Sequence, residues 1–402
     1  MKTPRLYWSD PLLLDFESEV TGALEQGGRP ALLLRETAFY PEAGGQLADH
    51  GQAIWAGGSA RLEDAREDEA GRVLHLLDPG SPLPAAGDRI RVRIDEERRR
   101  AHMSQHTGQH LLSRALLDRA AAPTISSRLG ESFCTIDTPA ERISDEALAD
   151  AEELVARVVL EDRPVRAFLP TPEELAQLPL RRDPKVAEQI RVVDVEGFDV
   201  SPCGGTHCTT TGQVGALRIT GVERYKGGLR LTFATGLRAL RDAARKDRIL
   251  RELAGRLTCG PDELPQVVAR LQADRRDEAR AAAALRERLA RYVADELLAQ
   301  ADARDGARWV VASLADEPIE GLRAIAARII EAPDAVALLA APSAAGTRLV
   351  IQRGAGAGVD AGALLQRIAR AGGGRGGGRA DRAEGQLPPG ADLPALLASL
   401  AS

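Results

Sequence analysis

Two short motifs of histidine and cysteine, far apart in the chain, constrain the fold more than any other feature. Residues 96–118 carry the run ERRRAHMSQHTGQHLLSRALLD, which has helical periodicity and no proline. It spaces His102, His106 and His110 four residues apart. Residues i and i+4 project from one face of an α-helix, so an HxxxH pair can offer two imidazoles to one ion. The second motif, SPCGGTHC, supplies Cys203 and His207. Pro202, Gly204 and Gly205 predict a tight turn that gathers both around one point. Helix and turn must therefore pack together, and three nitrogens with one thiolate suit tetrahedral zinc.

The ligand set follows from geometry. His102 and His110 are separated by about 12 Å of helix rise, and a zinc with bonds of about 2 Å cannot hold both. The pair is therefore 102/106 or 106/110. His106-Thr-Gly-Gln-His110 leads into the apolar Leu111–Leu112, which favours 106/110 and leaves His102 as a surface residue or a neighbour of the site. Cys208 competes with Cys203, but adjacent His207 and Cys208 point in different directions in most turns, so Cys203 is preferred. The expected ligands of a Zn2+ cofactor are His106, His110, Cys203 and His207. Four protein ligands commonly mean a structural staple, and spacing alone does not decide whether the metal enters chemistry. The sequence contains no HExxH, no GxxxxGK[ST] and no paired Cys-x-x-Cys.

Bulk properties narrow the class. A length of 402 residues predicts two to four domains. The net charge of -6 confines any phosphate binding to local Lys and Arg clusters. Cys134, Cys203, Cys208 and Cys259 are too few and scattered for a disulfide framework, which fits a reduced, cytoplasmic setting. Met1–Asp10 has no signal pattern, and no apolar run approaches the roughly 20 residues that span a bilayer. A soluble protein without a membrane partner is expected.

The patterning predicts an α+β multidomain chain. Residues 1–95 read as a small β-barrel, with strands at Ala31–Leu34, Val73–Leu76 and Ile90–Ile94 between Gly-, Pro- and Asp-rich turns. Residues 96–240 read as an α+β zinc-containing domain. After the His-bearing helix come strands near Thr124–Ser127 and Ser132–Asp137, then a helix capped by Ser144 and running to about Leu160. Further strands are expected at Pro164–Leu169, Ile190–Val195, Gly215–Thr220 and Leu229–Ala234. Residues 241–304 read as a helical or coiled-coil arm, charge-dense with both signs interspersed, which is either a solvated amphipathic helix on a globular body or a seam for a homodimer. Residues 305–402 read as an α/β domain, with strands Trp309–Leu314 and Ala335–Ala341 and helices Ile319–Glu331, Gly362–Ala371 and Leu393–Leu400. The stretch from Ala371 to Gly390 looks alone like a flexible linker but lies inside this unit.

HTGQH followed by SPCGGTHC resembles the editing domain shared by alanyl-tRNA synthetases and the free-standing AlaX trans-editing proteins. A threonyl-tRNA synthetase editing domain has a related motif pair. RETAFYPEAGGQLADHG, Arg35–Gly51, resembles the Gly-rich barrel motif of AlaX, with Ala43 where many relatives carry glycine. TISSRLGESFCTID, Thr124–Asp137, is similar to the strand pair behind the AlaX pocket, and ERYKGGLRLTFATG, Glu223–Gly236, to the last strands of the editing domain. The terminal Gly-Arg stretch is similar to the C-terminal domain of alanyl-tRNA synthetases, found also in DHH-type phosphoesterases, whose Asp-His-His core this sequence lacks. About 95 residues precede the HxxxH helix, too few for an aminoacylation core and a tRNA-recognition domain. The resemblance is therefore to a long AlaX.

That resemblance implies a trans-editing hydrolase, an aminoacyl-tRNA deacylase that removes serine from Ser-tRNA(Ala) and has no aminoacylation activity. Gly-tRNA(Ala) stays open as a second substrate. The implied partner is tRNA(Ala) mischarged with serine or glycine, and a homodimer would form through 241–304 and the C-terminal domain. Thr37 matches the AlaX threonine associated with reading the serine hydroxyl; with Gln109 it is assigned to catalysis. Ser126, Gly44 and Gly45 are assigned to substrate binding. Candidate tRNA contacts are Arg98–Arg100, Arg181–Arg182, Arg224, Lys226 and Arg230, with Arg375 and Arg379 in the last domain. The competing reading is a non-catalytic, zinc-stapled RNA-binding protein.

Overall fold

A computed structural model describes residues 2–184, 189–391 and 394–396. The chain divides into two compact units, Met1–Glu252 and Leu253–Ser402.

The first unit opens with six strands: β1 (Asp15–Gln26), β2 (Arg29–Leu34), β3 (Gly51–Trp55), β4 (Gly58–Glu67), β5 (Val73–Leu77) and β6 (Arg89–Ile94). They close into a barrel in the order β1-β2-β5-β4-β3-β6. The alternation in β6 shows why: Ile90, Val92 and Ile94 face inward, while Arg89, Arg91 and Arg93 face solvent. The barrel interior is filled by Phe16, Val20, Leu32, Phe39, Leu62 and Leu77, among others.

Helix α1 (Glu96–Ala120) follows directly. The Asp95 carboxylate accepts from the Arg98 N–H, and Glu96 and Glu97 in the first turn complement the helix dipole. After it come β7 (Ser126–Leu129), β8 (Cys134–Thr138), α2 (Asp145–Leu160), β9 (Val165–Phe168), α3 (Pro172–Gln177), β10 (Val192–Val195), β11 (Asp199–Pro202), β12 (Leu217–Tyr225), β13 (Gly228–Thr235) and α4 (Gly236–Arg256). The strands form a sheet β12-β13-β8-β7 and a second sheet β11-β10-β9. Helix α1 is central to this core. Its Met103, Leu111, Leu112 and Leu116 belong to one buried cluster with Val155 and Val158 of α2, Ile136 and Phe233 of the first sheet, and Val193 and Val195 of the second. The Ser144 cap is present, its hydroxyl accepting from the Ala147 N–H.

The second unit contains α5 (Leu264–Ala299), β14 (Asp302–Arg304), β15 (Ala307–Ser313), α6 (Ile319–Ile329), β16 (Ala335–Ser343), β17 (Gly346–Arg353), α7 (Ala361–Ala371), β18 (Arg375–Gly378) and β19 (Arg382–Leu387). One sheet runs β14-β15-β16-β17-β19-β18, with β15 and β16 parallel around α6. The apolar run of β16 is buried on both faces. Ala335, Ala337 and Leu339 join the α5–α6 side, while Leu338 and Ala340 join α7.

Two expectations change. The helical arm read over 241–304 falls in two helices, α4 and α5, because Thr258 takes a left-handed φ of 54° and Gly260-Pro261 starts a new turn. The Gly-Arg stretch is a β-hairpin, not a linker. A Cβ on Gly376 would sit 2.6 Å from the Gly385 Cα and 2.8 Å from Leu365, so its glycines let two strands pack under α7. Of the helix expected at Leu393–Leu400, most lies outside the described residues; 394–396 are helical. No helix among the described residues is long and apolar enough to cross a membrane.

Candidate metal centre

Helix α1 and the turn after β11 bring four side chains together. One ligand atom from each of His106, His110, Cys203 and His207 lies within 4.8 Å of the others. His106 Nε2 and His207 Nε2 each stand 3.3 Å from Cys203 Sγ. Tetrahedral zinc, with bonds of about 2.0 Å to nitrogen and 2.3 Å to sulfur, has N···S edges of roughly 3.5 Å, so the group fits it. Both ring nitrogens of His110 are buried without a hydrogen bond, which leaves Nε2 free for a metal. Burial opposes ionisation of Cys203, yet His106, His207 and His110 hold its thiol well below the usual range. Burial pushes His207 down to about 3, which keeps it in the neutral, ligating form.

The two rejected candidates separate cleanly. Cys208 is a core thiol whose pKa burial raises to about 11. His102 is not at the surface: it is fully buried, and neither ring nitrogen has a hydrogen-bond partner. One turn further up α1, it sits outside the four-ligand group.

The other nitrogen of two of these imidazoles has a hydrogen-bonding neighbour, and that of the third faces a carboxylate. His207 Nδ1 lies 3.2 Å from Thr107 Oγ1, and His106 Nδ1 lies 2.8 Å from Gln46 Oε1. His110 Nδ1 lies 3.3 Å from Asp199 Oδ2. Burial disfavours the Asp199 carboxylate, but His110 and Arg181 outweigh it and hold the group at about 2. The carbonyls of the Cys203-Gly204-Gly205 turn are also engaged. The Arg191 guanidinium donates to Gly205 O at 2.8 Å and Cys203 O at 3.2 Å, and Trp8 Nε1 donates to Gly204 O. Gly205 is required by contact, since a Cβ there would meet the His106 ring at 2.2 Å.

The barrel's Gly-rich loop closes over this group. Gly44 and Gly45 have φ of 59° and 88°, a region that favours glycine. A Cβ on Gly45 would lie 2.6 Å from Ser127 O, and Gly45 O accepts from the Leu129 N–H of β7. Ala43 and Gln46 exchange two backbone hydrogen bonds that close the turn. Ala43 has no positive φ, so the loop tolerates its methyl.

The remaining expected residues scatter. Thr37 is fully buried in the barrel, its hydroxyl 2.8 Å from His75 Nε2 and accepting from the Phe39 N–H. Gln109 donates to Ser113 Oγ, and the exposed Ser126 donates to Asp137. Arg224 and Lys226 are exposed around the Lys226-Gly227 turn, whereas Arg230 is held by Asp137 and stacks on the Tyr225 ring. Arg375 is exposed on β18, and Arg379 pairs with Asp381. Two expected phosphate contacts are corrected. Arg99 is fully buried against Asp49, Pro11 O and Ala38 O. Arg181 is buried against Asp199. Arg98 pairs with Glu131, and Arg182 donates to Pro202 O. Thr107, Asp199 and Arg191 are not singled out by spacing, because each meets the site only through tertiary packing; Gln46 is a kept residue of the Gly-rich motif, but the motif gives it no role.

Fold and site together define an α+β domain built around a three-histidine, one-cysteine group that could hold a metal ion, clasped by a β-barrel. Residues 190–231 match the family described as threonyl and alanyl tRNA synthetase second additional domain. Residues 12–98 match tRNA synthetases class II (A), and residues 306–402 match the DHHA1 domain. The alanine–tRNA ligase of Archaeoglobus fulgidus is 33% identical over 393 residues, covering 96% of this chain and 42% of that protein. The alanyl-tRNA editing protein AlaX-L of Pyrococcus horikoshii is 31% identical over 271 residues, 66% of each chain. Among solved structures, the C-Ala domain of Aquifex aeolicus alanyl-tRNA synthetase matches 25% of this chain and 93% of its own, at 20% identity and a TM-score of 0.24. The chain thus spans about two fifths of the length of the ligases it matches and belongs to the AlaX-type family of alanyl-tRNA editing proteins related to alanyl-tRNA synthetase.

Proposed function

We propose that this protein is an aminoacyl-tRNA deacylase that hydrolyses the ester of Ser-tRNA(Ala), with Gly-tRNA(Ala) as a second substrate and without aminoacylation. The observation that carries this reading is the His106, His110, Cys203 and His207 cluster clasped by the Gly-rich loop. The AlaX-L relative supports the alanyl-tRNA specificity. Serine differs from alanine by one hydroxyl, which a small apolar pocket rejects only by about a hundredfold. A site that hydrogen-bonds the hydroxyl discriminates better, because alanine leaves a buried polar group unpaired.

Thr37 is the residue assigned to that reading. His75 Nδ1 faces the Leu32 carbonyl, so Nε2 is the acceptor and the Thr37 hydroxyl donates to it. With the Phe39 N–H on one lone pair, Thr37 keeps one lone pair for a serine hydroxyl. Gln109, Ser126, Gly44 and Gly45 would contact the aminoacyl group, an assignment that rests on the resemblance of their motifs to the editing domain. Zn2+, held by the four ligands, would supply positive charge that orients the ester and stabilises the oxyanion. Arg224, Lys226, Arg375 and Arg379 would meet tRNA(Ala) phosphates, with Arg230 stiffening the β12–β13 sheet next to Arg224 and Lys226. Exposed Leu285, Leu289 and Tyr292 on α5 support pairing of two copies in a cytoplasmic homodimer.

A zinc-stapled, non-catalytic RNA-binding protein is favoured by one observation: the three histidine ligands are at most 5% exposed. A deacylation panel of Ser-, Gly-, Ala- and Thr-tRNA, with bound zinc quantified, decides between the two. Hydrolysis of Ser-tRNA(Ala) by the zinc-loaded chain supports editing. Zinc and RNA binding with no hydrolysis of any substrate supports the staple.

A further inference from the structure

We propose that Gln46, from the barrel, is a positioning residue of the metal centre: it sets the tautomer of His106 and pins the turn that carries Cys203 and His207. This inference rests on the metal reading given above but not on the substrate.

The atoms assign themselves in sequence. The backbone N–H of Thr206 lies 3.2 Å from one end of the Gln46 amide. A backbone N–H only donates, so that end is the oxygen. The other end is then the NH2, and it donates to Thr206 Oγ1 at 2.8 Å. An amide oxygen only accepts, so His106 Nδ1, 2.8 Å from the same oxygen, carries a hydrogen. A neutral imidazole protonated on Nδ1 leaves its lone pair on Nε2, the atom 3.3 Å from Cys203 Sγ. One side chain thereby orients the α1 ligand and holds the backbone between the two turn ligands.

Gln46 has no freedom to leave this arrangement. It is fully buried. Its own backbone is fixed by the exchanged bonds with Ala43, and the preceding Gly45 is tied to Leu129 of β7. Gly205 leaves room for both partners: a Cβ there would fall 3.0 Å from the Gln46 oxygen as well as inside the His106 ring. The equivalent partners of His110 and His207 are Asp199 and Thr107, which lie in β11 and α1. Among the described residues, Gln46 is the imidazole partner contributed by the barrel loop. Metal affinity and the docking of that loop are therefore linked: whatever loosens one loosens the other.

The test uses the full chain. Zinc affinity is measured by competition with a chromophoric chelator for wild type, Gln46→Met and Gln46→Glu, and the visible spectrum of the Co2+-loaded forms is recorded. Gln46→Met keeps the volume and removes the acceptor, so it should weaken zinc binding by about 10–100-fold and alter the Co2+ spectrum. Gln46→Glu keeps an acceptor for both His106 and the Thr206 hydroxyl and should stay close to wild type in both readouts. Gln46→Asn, one methylene short of His106, serves if the methionine variant does not fold, and the same weakening is expected. Wild-type affinity and spectrum in the Met or Asn variant would overturn the proposal. A wild-type chain that binds no zinc overturns it together with the metal reading, whereas zinc binding without deacylation leaves it standing and removes only the editing reading.

Discussion

Asp199 stands 3.3 Å from the Nδ1 of His110, and Arg181 grips its other oxygen at 2.6 Å. The carboxylate is fully buried and Arg181 nearly so, which makes this a relay from a buried cation to a metal ligand. Asp199→Asn removes the charge but keeps the shape. It should lower zinc affinity by about 10–100-fold in a chelator competition. Asp199→Ala also strands Arg181 and should cost about 3–5 kcal/mol in urea unfolding. Unaltered zinc affinity in Asp199→Asn would mean the pair is only structural.

The two glycines of the ligand turn give a matched comparison. Gly205→Ala forces a methyl into the His106 ring, while a Cβ on Gly204 meets nothing within 4 Å. Gly205→Ala should lose most bound zinc, measured by elemental analysis after gel filtration. Gly204→Ala should retain it. Equal retention in both variants would contradict the packing described for the turn.

Arg99 belongs to stability and not to tRNA. It satisfies Asp49 and two backbone carbonyls with no exposure. Arg99→Met leaves the buried Asp49 carboxylate with the Tyr40 N–H but without its cation, so unfolding should shift by about 3–5 kcal/mol. A surface arginine would change stability by no more than about 0.5 kcal/mol, and that smaller figure would refute the assignment.

These residues show what the chain discloses before folding. Both halves of the metal cluster were legible because each is local: i,i+4 on a helix, and two ligands in one glycine turn. The barrel strands were legible because alternation such as Arg89–Ile94 has a period of two. Arg99 and Arg181 misled because a charged residue on a helix or loop reads as solvated until its partner is known. Asp49 and Asp199 lie elsewhere in the sequence, and nothing local marks them. The Gly-Arg hairpin misled for a related reason: its glycines serve close contact with Leu365 and Gly385, which composition cannot distinguish from flexibility.

Acid should weaken the barrel through His75. Burial lowers its pKa from 6.5 to about 4. The folded state therefore binds a proton less readily than the unfolded state. Its stabilising contribution is complete above 6.5 and falls away as pH drops towards 4. Between pH 7 and 5 the loss from this group is about 2 kcal/mol. Urea midpoints across that range should fall, and the fall should be smaller in His75→Gln. An equal slope in both proteins would assign the acid sensitivity elsewhere.

The most direct measurement is the rate of deacylation of Ser-tRNA(Ala) relative to Ala-tRNA(Ala), for wild type and Thr37→Val at equal zinc content. The expected result is fast release of serine, slow release of alanine, and a loss of that preference in Thr37→Val. Equal rates on both substrates in the zinc-loaded wild type, or no hydrolysis of either, would contradict an editing function.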